Sequence, residues 1–456
     1  MVAMTLKKND IVRLNITSVT AQGSGVGRTE DGMVMFVPLT AVGDELDARI
    51  LKVKKSYSFG KIEQLLTPSA SRVKPDCPAF AKCGGCVYRH IDYNSELEIK
   101  HNRVRDAMER IGGFEALKIN PIVKNDRPDR YRNKAMIPAC NTPDGVDFGF
   151  YANHSHRVIP CADCLLQPES FNRVVELTKA FMRSTSQTAY DEATGKGKLR
   201  HIYIRYAERR RELMVCYVVN GNGLKHENML IESLKSELPE LKSVVFNSNR
   251  ENTNVVLGSK NRTAYGSECI TDELCGRTFK ISPHSFYQVN RDQAEKLYTI
   301  TADYAGLKGD EVLLDLYCGT GTIGLTMADR CRELVGVEIV EDAVLNAREN
   351  ARLNNIENAR FICGDAAFAA DKLKKEGVSP DVVIIDPPRK GCDAELIETI
   401  VSMSPDKIVY VSCDPETLAR DLRKFSDNNY SIKELTPVDL FSRTPHVETV
   451  ARLVKE

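Results

Sequence analysis

Near the C-terminus the chain reads Ile408-Val409-Tyr410-Val411-Ser412-Cys413-Asp414-Pro415. The apolar run from Ile408 to Val411 predicts a strand buried in a parallel sheet. Pro415 predicts the first turn of a helix, where a missing backbone N–H costs nothing. Cys413 therefore falls between the C-terminal end of a strand and the N-terminus of a helix. Ligands bind along that edge in open α/β sheets, and a helix N-terminus favours a thiolate over a thiol. A lone cysteine is more often a small buried hydrophobe. What surrounds Cys413 has to decide between the two.

Upstream, strand and helix patterns alternate. Val312 to Leu316 is an expected strand, followed by the glycine-rich turn Tyr317-Cys318-Gly319-Thr320-Gly321-Thr322-Ile323-Gly324. Leu334 to Glu338 is the next, and its closing acid lies about 20 residues past the glycines, the spacing used to hold ribose hydroxyls. Gly364-Asp365 closes a third. Val382 to Ile385 is a fourth, ending in Asp386-Pro387-Pro388-Arg389. This alternation predicts an α/β, Rossmann-like domain over residues 281–456, introduced by Ser282 to Asn290 and a helix from Gln293 to Tyr304. A dinucleotide fold would show a third glycine in register, and the fingerprint is not met cleanly. Asp386 can serve as a helix cap as well as in a site.

The first 67 residues read as a small all-β unit. Short strands are expected at Ile11 to Ile16, Met33 to Val37, Leu46 to Val53 and Tyr57 to Gln64, with a glycine-rich turn at Gly23 to Gly27. That spacing fits an oligonucleotide-binding type of barrel. Lys52, Lys54, Lys55 and Lys61 add local charge, which in isolation is an ordinary solvated face. Thr67 to Pro75 reads as a linker. Residues 68–280 read as an α+β domain with helices near 92–110, 169–183 and 223–237, and antiparallel strands within 199–219 and 241–257. Within it, Arg130-Tyr131-Arg132-Asn133-Lys134 interleaves cations with an aromatic, a composition suited to phosphate contact and base stacking.

Cys77, Cys83 and Cys86 lie close together, with Gly84 and Gly85 allowing the backbone to curl between the last two. Cys161 and Cys164 are the candidates for a fourth ligand. Four thiolates suit zinc or an iron–sulfur cluster equally. The 456-residue chain has 14 cysteines, and Lys+Arg and Asp+Glu number 63 each, so net charge points neither toward nucleic acid nor away from it. Met1 to Asp10 lacks the apolar run of a signal peptide, and no apolar stretch is long enough for a bilayer. A cytoplasmic protein with no membrane partner is expected, its thiols mostly reduced.

These motifs, in this order, resemble the bacterial RNA uracil-5-methyltransferases, and the resemblance covers nearly the whole chain. The Gly-x-Gly-x-Gly break and Phe36-Val37-Pro38 resemble a TRAM domain, an RNA-binding module. The cysteine layout resembles that family's [4Fe-4S] site, with Cys164 completing the set because Leu165-Leu166-Gln167-Pro168 follows it. Asp315, Cys318-Gly319-x-Gly321 and Glu338 resemble the S-adenosylmethionine site of class I methyltransferases. Ser412-Cys413-Asp414-Pro415 resembles the family's nucleophile motif, and His446-Val447-Glu448 its base motif. Where the family carries proline after Phe441, this chain has Ser442.

The resemblance implies Cys413 as nucleophile and Glu448 as base. It implies Gln288, Tyr317, Thr322, Glu338, Asp365 and Asp386 around S-adenosylmethionine, and Cys77, Cys83, Cys86 and Cys164 around the cluster. It also implies 23S ribosomal RNA as partner and a monomeric state. The alternatives are a tRNA uracil-5-methyltransferase and, from another class, an amino methyltransferase using Asp-Pro-Pro. The last needs no cysteine, because nitrogen carries its own lone pair, whereas uracil carbon 5 becomes nucleophilic only after a nucleophile adds at carbon 6.

Overall fold

The fold is a computed structural model that describes residues 6–456; residues 1–5, part of the expected first domain, lie outside the described residues. Strands β1 (Ile11–Val19), β2 (Gly25–Arg28), β3 (Val34–Val37), β4 (Glu45–Val53) and β5 (Tyr57–Thr67) close a barrel in the order β1-β2-β3-β5-β4. Alternation along each strand sends Leu14, Ile16, Met35, Val37, Leu46, Ala48 and Ile50 inward as its core. The glycine-rich stretch expected as a turn is half strand: Gly25 and Gly27 belong to β2, and a Cβ on Gly25 would overlap Thr40 Oγ1.

The expected linker is fastened rather than loose. Buried Asp44 accepts from Ser69 N at 2.9 Å and from Arg72 Nε at 2.7 Å. Burial alone would raise this carboxyl; the Arg72 guanidinium and the Ala41 and Ser69 amides outweigh it and hold the pKa below its usual value. The compact unit containing the barrel continues to Arg103, and so takes in most of helix α1 (Tyr93–Ala107). It also includes Tyr151–His156 and Phe441–His446.

The second unit begins with a seven-stranded sheet. Its strands are β6 (Lys134–Thr142), β7 (Gly145–Tyr151), β8 (Val158–Pro160), β9 (Leu199–Ala207), β10 (Glu212–Val219), β11 (Leu241–Ser248) and β12 (Lys260–Gly266), in the order β12-β11-β10-β9-β6-β7-β8. Helices α2 (Glu169–Ser184) and α3 (Glu227–Glu237) pack with it around Ile137, Phe148, Phe171, Ile202, Ile204, Val215 and Leu230. The expectation of antiparallel strands holds for β9 with β10 and for β11 with β12, but not for β11 with β10. Strand β11 returns through α3 and pairs parallel to β10, as a crossover connection requires. The hairpin β13 (Ile270–Leu274) and β14 (Arg277–Ile281) follows.

The remainder is the α/β domain. Its helices are α4 (Arg291–Ala305), α5 (Thr322–Leu325), α6 (Glu341–Leu353), α7 (Ala366–Lys375), α8 (Ala394–Met403) and α9 (Pro415–Ser426). Its strands are β15 (Val312–Leu316), β16 (Glu333–Glu338), β17 (Ala359–Cys363), β18 (Val382–Ile385), β19 (Lys407–Ser412), β20 (Tyr430–Val438) and β21 (Glu448–Lys455). They run in the order β17-β16-β15-β18-β19-β21-β20. The first five are parallel; β21 then pairs antiparallel with both β19 and β20. The parallel strands are near-continuous apolar runs because both sheet faces are covered: Leu314, Val335, Val383 and Ile408 share one core with Leu396, Ile397 and Ile400 of α8. Strand order reverses at β15, which opens a crevice at the carboxyl ends of β15 and β18. No helix among the described residues is long and apolar enough to cross a membrane.

Candidate active site

Four of the predicted residues follow directly from strand ends at this crevice. Tyr317 comes after β15, Glu338 closes β16, Asp386 follows β18 and Cys413 follows β19. Glu448 joins them from the opposite direction. Ser412 pairs with Thr449 across β19 and β21, so one further step of that register sets Glu448 opposite Cys413. The antiparallel strand thus delivers its first residue to the edge where the parallel strands end.

Cys413 is held by a compact turn. The Asp414 amide donates to Ser412 Oγ at 3.2 Å, and the Asp414 side chain caps α9 by accepting from Thr417 N at 3.0 Å. The thiol is half-buried, with its pKa pushed up to about 12 by burial first and then by the charges of Glu448 and Asp386; Arg389 offsets part of this. The helix N-terminus was expected to favour the thiolate. Desolvation and two neighbouring carboxyl groups act the other way.

Glu448 is 6% exposed. Burial, and then the charge of Asp386, raises its pKa to about 8, with Arg389 acting in the other direction. Asp386 keeps some surface exposure as a residue, yet burial of its carboxyl raises it to about 7. Asp315, which accepts from Gly324 N at 2.9 Å, is likewise raised to about 7 by burial, with Asp386 and Glu338 adding repulsion. A crevice that crowds buried carboxyl groups suits a cationic ligand. Arg389 enters this site as the cation facing both Cys413 and Glu448. Its position after Asp-Pro-Pro was the only signal for it in the sequence.

The cofactor side is built around the glycine turn. Tyr317 and Gly319 adopt left-handed backbone, and a Cβ on Gly319 would meet nothing within 4 Å, so the backbone there faces open space. Glu338 accepts from Gly319 N at 3.1 Å and Val340 N at 2.9 Å, which fixes its carboxylate beside the turn. Ile339 and Val340, which follow Glu338 in the chain, are exposed, as is Phe368 in the first turn of α7; such apolar surfaces are where a flat ring can lie. The buried Tyr298 hydroxyl is 3.1 Å from Thr322 Oγ1 and also meets the Gln288 side chain. Asp365 caps α7 by accepting from Ala367 N at 3.0 Å. The open turn, the fixed acid, the apolar wall and the buried carboxyl groups fit a cofactor with ribose, adenine and sulfonium parts.

Cys77, Cys83 and Cys86 are half-buried on the loops after the barrel, and Cys161 and Cys164 lie on the loop between β8 and α2. Among the described residues no group of three or more His, Cys, Asp or Glu is arranged to hold a metal ion. The local turn does suit a thiolate, because Gly85 N donates to Cys83 Sγ at 3.3 Å. On the barrel the residue patterns had not signalled an aromatic cluster: Phe36, Tyr57 and half-exposed Phe59 stand with ring centroids 5.5–5.7 Å apart. The β3–β5 pairing that joins Phe36 to Phe59 is long-range and not readable from local pattern.

Residues 92–456 match the family described as tRNA (Uracil-5-)-methyltransferase, and residues 6–62 match the TRAM domain. An uncharacterized RNA methyltransferase of Halalkalibacterium halodurans is 42% identical over 448 residues, 98% of each chain. Another, from Listeria monocytogenes, is 41% identical over 453 residues, 99% of each chain. The crystal structure of Pyrococcus abyssi tRNA (uracil-54, C5)-methyltransferase in complex with S-adenosyl-L-homocysteine superposes with a TM-score of 0.78 at 28% identity. That match covers 97% of this chain and 99% of that one.

Proposed function

Since the chain belongs to the tRNA (uracil-5-)-methyltransferase family and is an RNA methyltransferase, we propose that it methylates carbon 5 of uridine in 23S ribosomal RNA through a covalent adduct of Cys413. The observation that carries this reading is the register of β19 and β21, which sets Cys413 opposite Glu448 at the carboxyl edge of the sheet. A nucleophile and a base within reach of one base ring are what carbon 5 chemistry needs.

The target uridine leaves its stack to expose carbon 6. Cys413 adds there as the thiolate, which makes carbon 5 an enolate carbon. S-adenosylmethionine, when bound, supplies the methyl group that carbon 5 takes, and Glu338, Asp386, Gln288, Tyr317, Thr322 and Asp365 are the residues to hold it. Glu448, as the carboxylate, removes the proton from carbon 5, and elimination of the Cys413 thiolate restores the double bond. Arg389 facing Cys413 and Glu448 favours both anionic forms.

Methylation of unmodified transcripts tests the reading. Cys413→Ala is expected to lose uridine methylation while cofactor still binds; retained uridine methylation would overturn the covalent mechanism, and methyl groups found on exocyclic nitrogen in both proteins would favour an amino methyltransferase. A second RNA substrate is supported by one observation: the Pyrococcus abyssi tRNA enzyme matches over 97% of this chain. Mapping 5-methyluridine in 23S rRNA and tRNA transcripts after incubation decides between them. Cys77, Cys83, Cys86 and Cys164 are proposed to hold a [4Fe-4S] cluster, supported by the amide directed at Cys83 Sγ. Anaerobically purified protein should then contain iron and acid-labile sulfide; zinc in their place would refute it.

A further inference from the structure

One face of the central sheet gathers like charges. Lys134 on β6 stands directly across from Arg205 on β9, so both side chains leave the same face. Two residues along that face, Met136 stands across from Tyr203 and is 46% exposed. Arg205 is 4% exposed, and its guanidinium donates to Tyr203 Oη at 2.9 Å and to Ser285 O, both neutral acceptors. Lys134 is half-buried; burial, then the charges of Arg205 and Arg132, lower its pKa to about 8. No carboxylate is among the groups that shift it. Like charges directly opposite each other weaken a sheet, so this arrangement is one that an anion would relieve.

The same strand end supports the cofactor-side loop. Asn133, next to Lys134, donates from Nδ2 to Gln288 O at 2.9 Å and from its backbone N to Val289 O at 2.8 Å. Arg205 holds Ser285 O of that loop, and Phe286 between them is 59% exposed. Cations, an exposed methionine and an exposed aromatic thus share one region beside the loop that carries Gln288. Single-stranded nucleic acid is bound by this combination, the cations meeting phosphate and the apolar surfaces meeting bases.

We propose that Lys134, with the buried Arg205 adding positive charge behind it, forms a binding site for an RNA phosphodiester flanking the target uridine, with Met136 and Phe286 as the surfaces for adjoining bases. The proposal rests on RNA being the substrate, and it names the backbone contact rather than the chemistry at the base.

The test uses full-length protein and unmodified 23S rRNA and tRNA transcripts. Lys134→Met is expected to weaken RNA binding about 5- to 10-fold near physiological salt and to reduce the slope of log affinity against log salt by roughly 0.7–1, one phosphate contact. Its thermal midpoint should rise, because a half-buried ammonium and a like-charge pair are removed. Affinity for S-adenosylhomocysteine should not change, and Lys134→Arg should recover RNA binding. Unchanged RNA affinity and salt slope would overturn the proposal. So would a fall in cofactor affinity alone, which would assign the site to the cofactor's carboxylate, or a lowered midpoint, which would make Lys134 structural. Wild-type protein that binds RNA but produces no 5-methyluridine would instead defeat the proposed function.

Discussion

Glu448, Asp386 and Asp315 all have carboxyl pKa values raised by burial, to about 8, 7 and 7. The folded chain therefore keeps protons that the unfolded chain releases at the ordinary carboxylate value. Stability from the protonated forms is complete below about pH 4 and is lost as pH rises toward 8, each tenfold difference being worth about 1.4 kcal/mol. The thermal midpoint of ligand-free protein is expected to fall between pH 5 and pH 8 at fixed ionic strength, and Glu448→Gln should flatten the decline. A wild-type profile that is level across this range would show that these groups are not buried as protonated acids. The same charges set ligand preference. S-adenosylmethionine carries a sulfonium and S-adenosylhomocysteine does not, so the ratio of their affinities should shift toward the cation as pH rises through 7 to 8. Calorimetry at several pH values reads that ratio directly.

Two elements of the site are joined by a buried carboxylate that the catalytic scheme does not use. Asp421 on α9 accepts from Cys392 N and from Tyr410 Oη, each at 2.8 Å, and from Arg420 Nε at 2.8 Å. Arg420 Nη2 donates in turn to Lys390 O at 2.8 Å. Gly391 lies in left-handed backbone, and a Cβ on it would overlap the Asp421 carboxylate. The loop from Asp386 to Cys392 is thereby fastened to the helix that starts beside Cys413. Asp421→Ala leaves the Cys392 amide without its acceptor, a cost of roughly 1–3 kcal/mol. Hydrogen exchange should show residues 389–393 losing protection while β18 keeps its own; equal protection in both proteins would mean the loop is held by other contacts.

Much at this scale was legible in the sequence. The apolar strands, the glycine turn and Pro415 at the first turn of α9 are set by local pattern. Glu448 was legible only by resemblance, because its place depends on an antiparallel register that no local pattern encodes. The parallel pairing of β11 escaped for a related reason: alternation gives a strand's faces but not the direction of its neighbour.

Across the whole molecule the chain enters and leaves the barrel-containing unit more often than its domain order suggests. Phe441–His446 belongs to that unit, whereas Leu440 and Val447 belong to the other. Only Val447 separates the excursion from Glu448. The excursion is gripped by α1: buried Glu96 accepts from Lys100 Nζ and from Arg443 N, both at 2.7 Å, and Lys100 Nζ donates to Phe441 O at 3.2 Å. Val87 N, one residue past Cys86, donates to Arg443 O at 2.8 Å, and Arg443 itself is in left-handed backbone. Ser442, where the resemblance led to proline, is fully buried within this grip. A change at Glu96 should therefore reach Glu448, the proposed base, through the chain itself. Glu96→Ala breaks the buried ion pair with Lys100, which costs about 3–5 kcal/mol, and takes the Glu96 acceptor from the Arg443 amide. The expected result is a lower kcat for RNA methylation with cofactor affinity retained. Adding Lys100→Met should restore most of the stability, since both members of the ion pair are then gone, but less of the activity, since the Glu96 contact to the Arg443 amide is still missing. If the double variant recovers kcat and stability together, the grip on Arg443 has no part in placing Glu448, and the buried ion pair serves the fold alone.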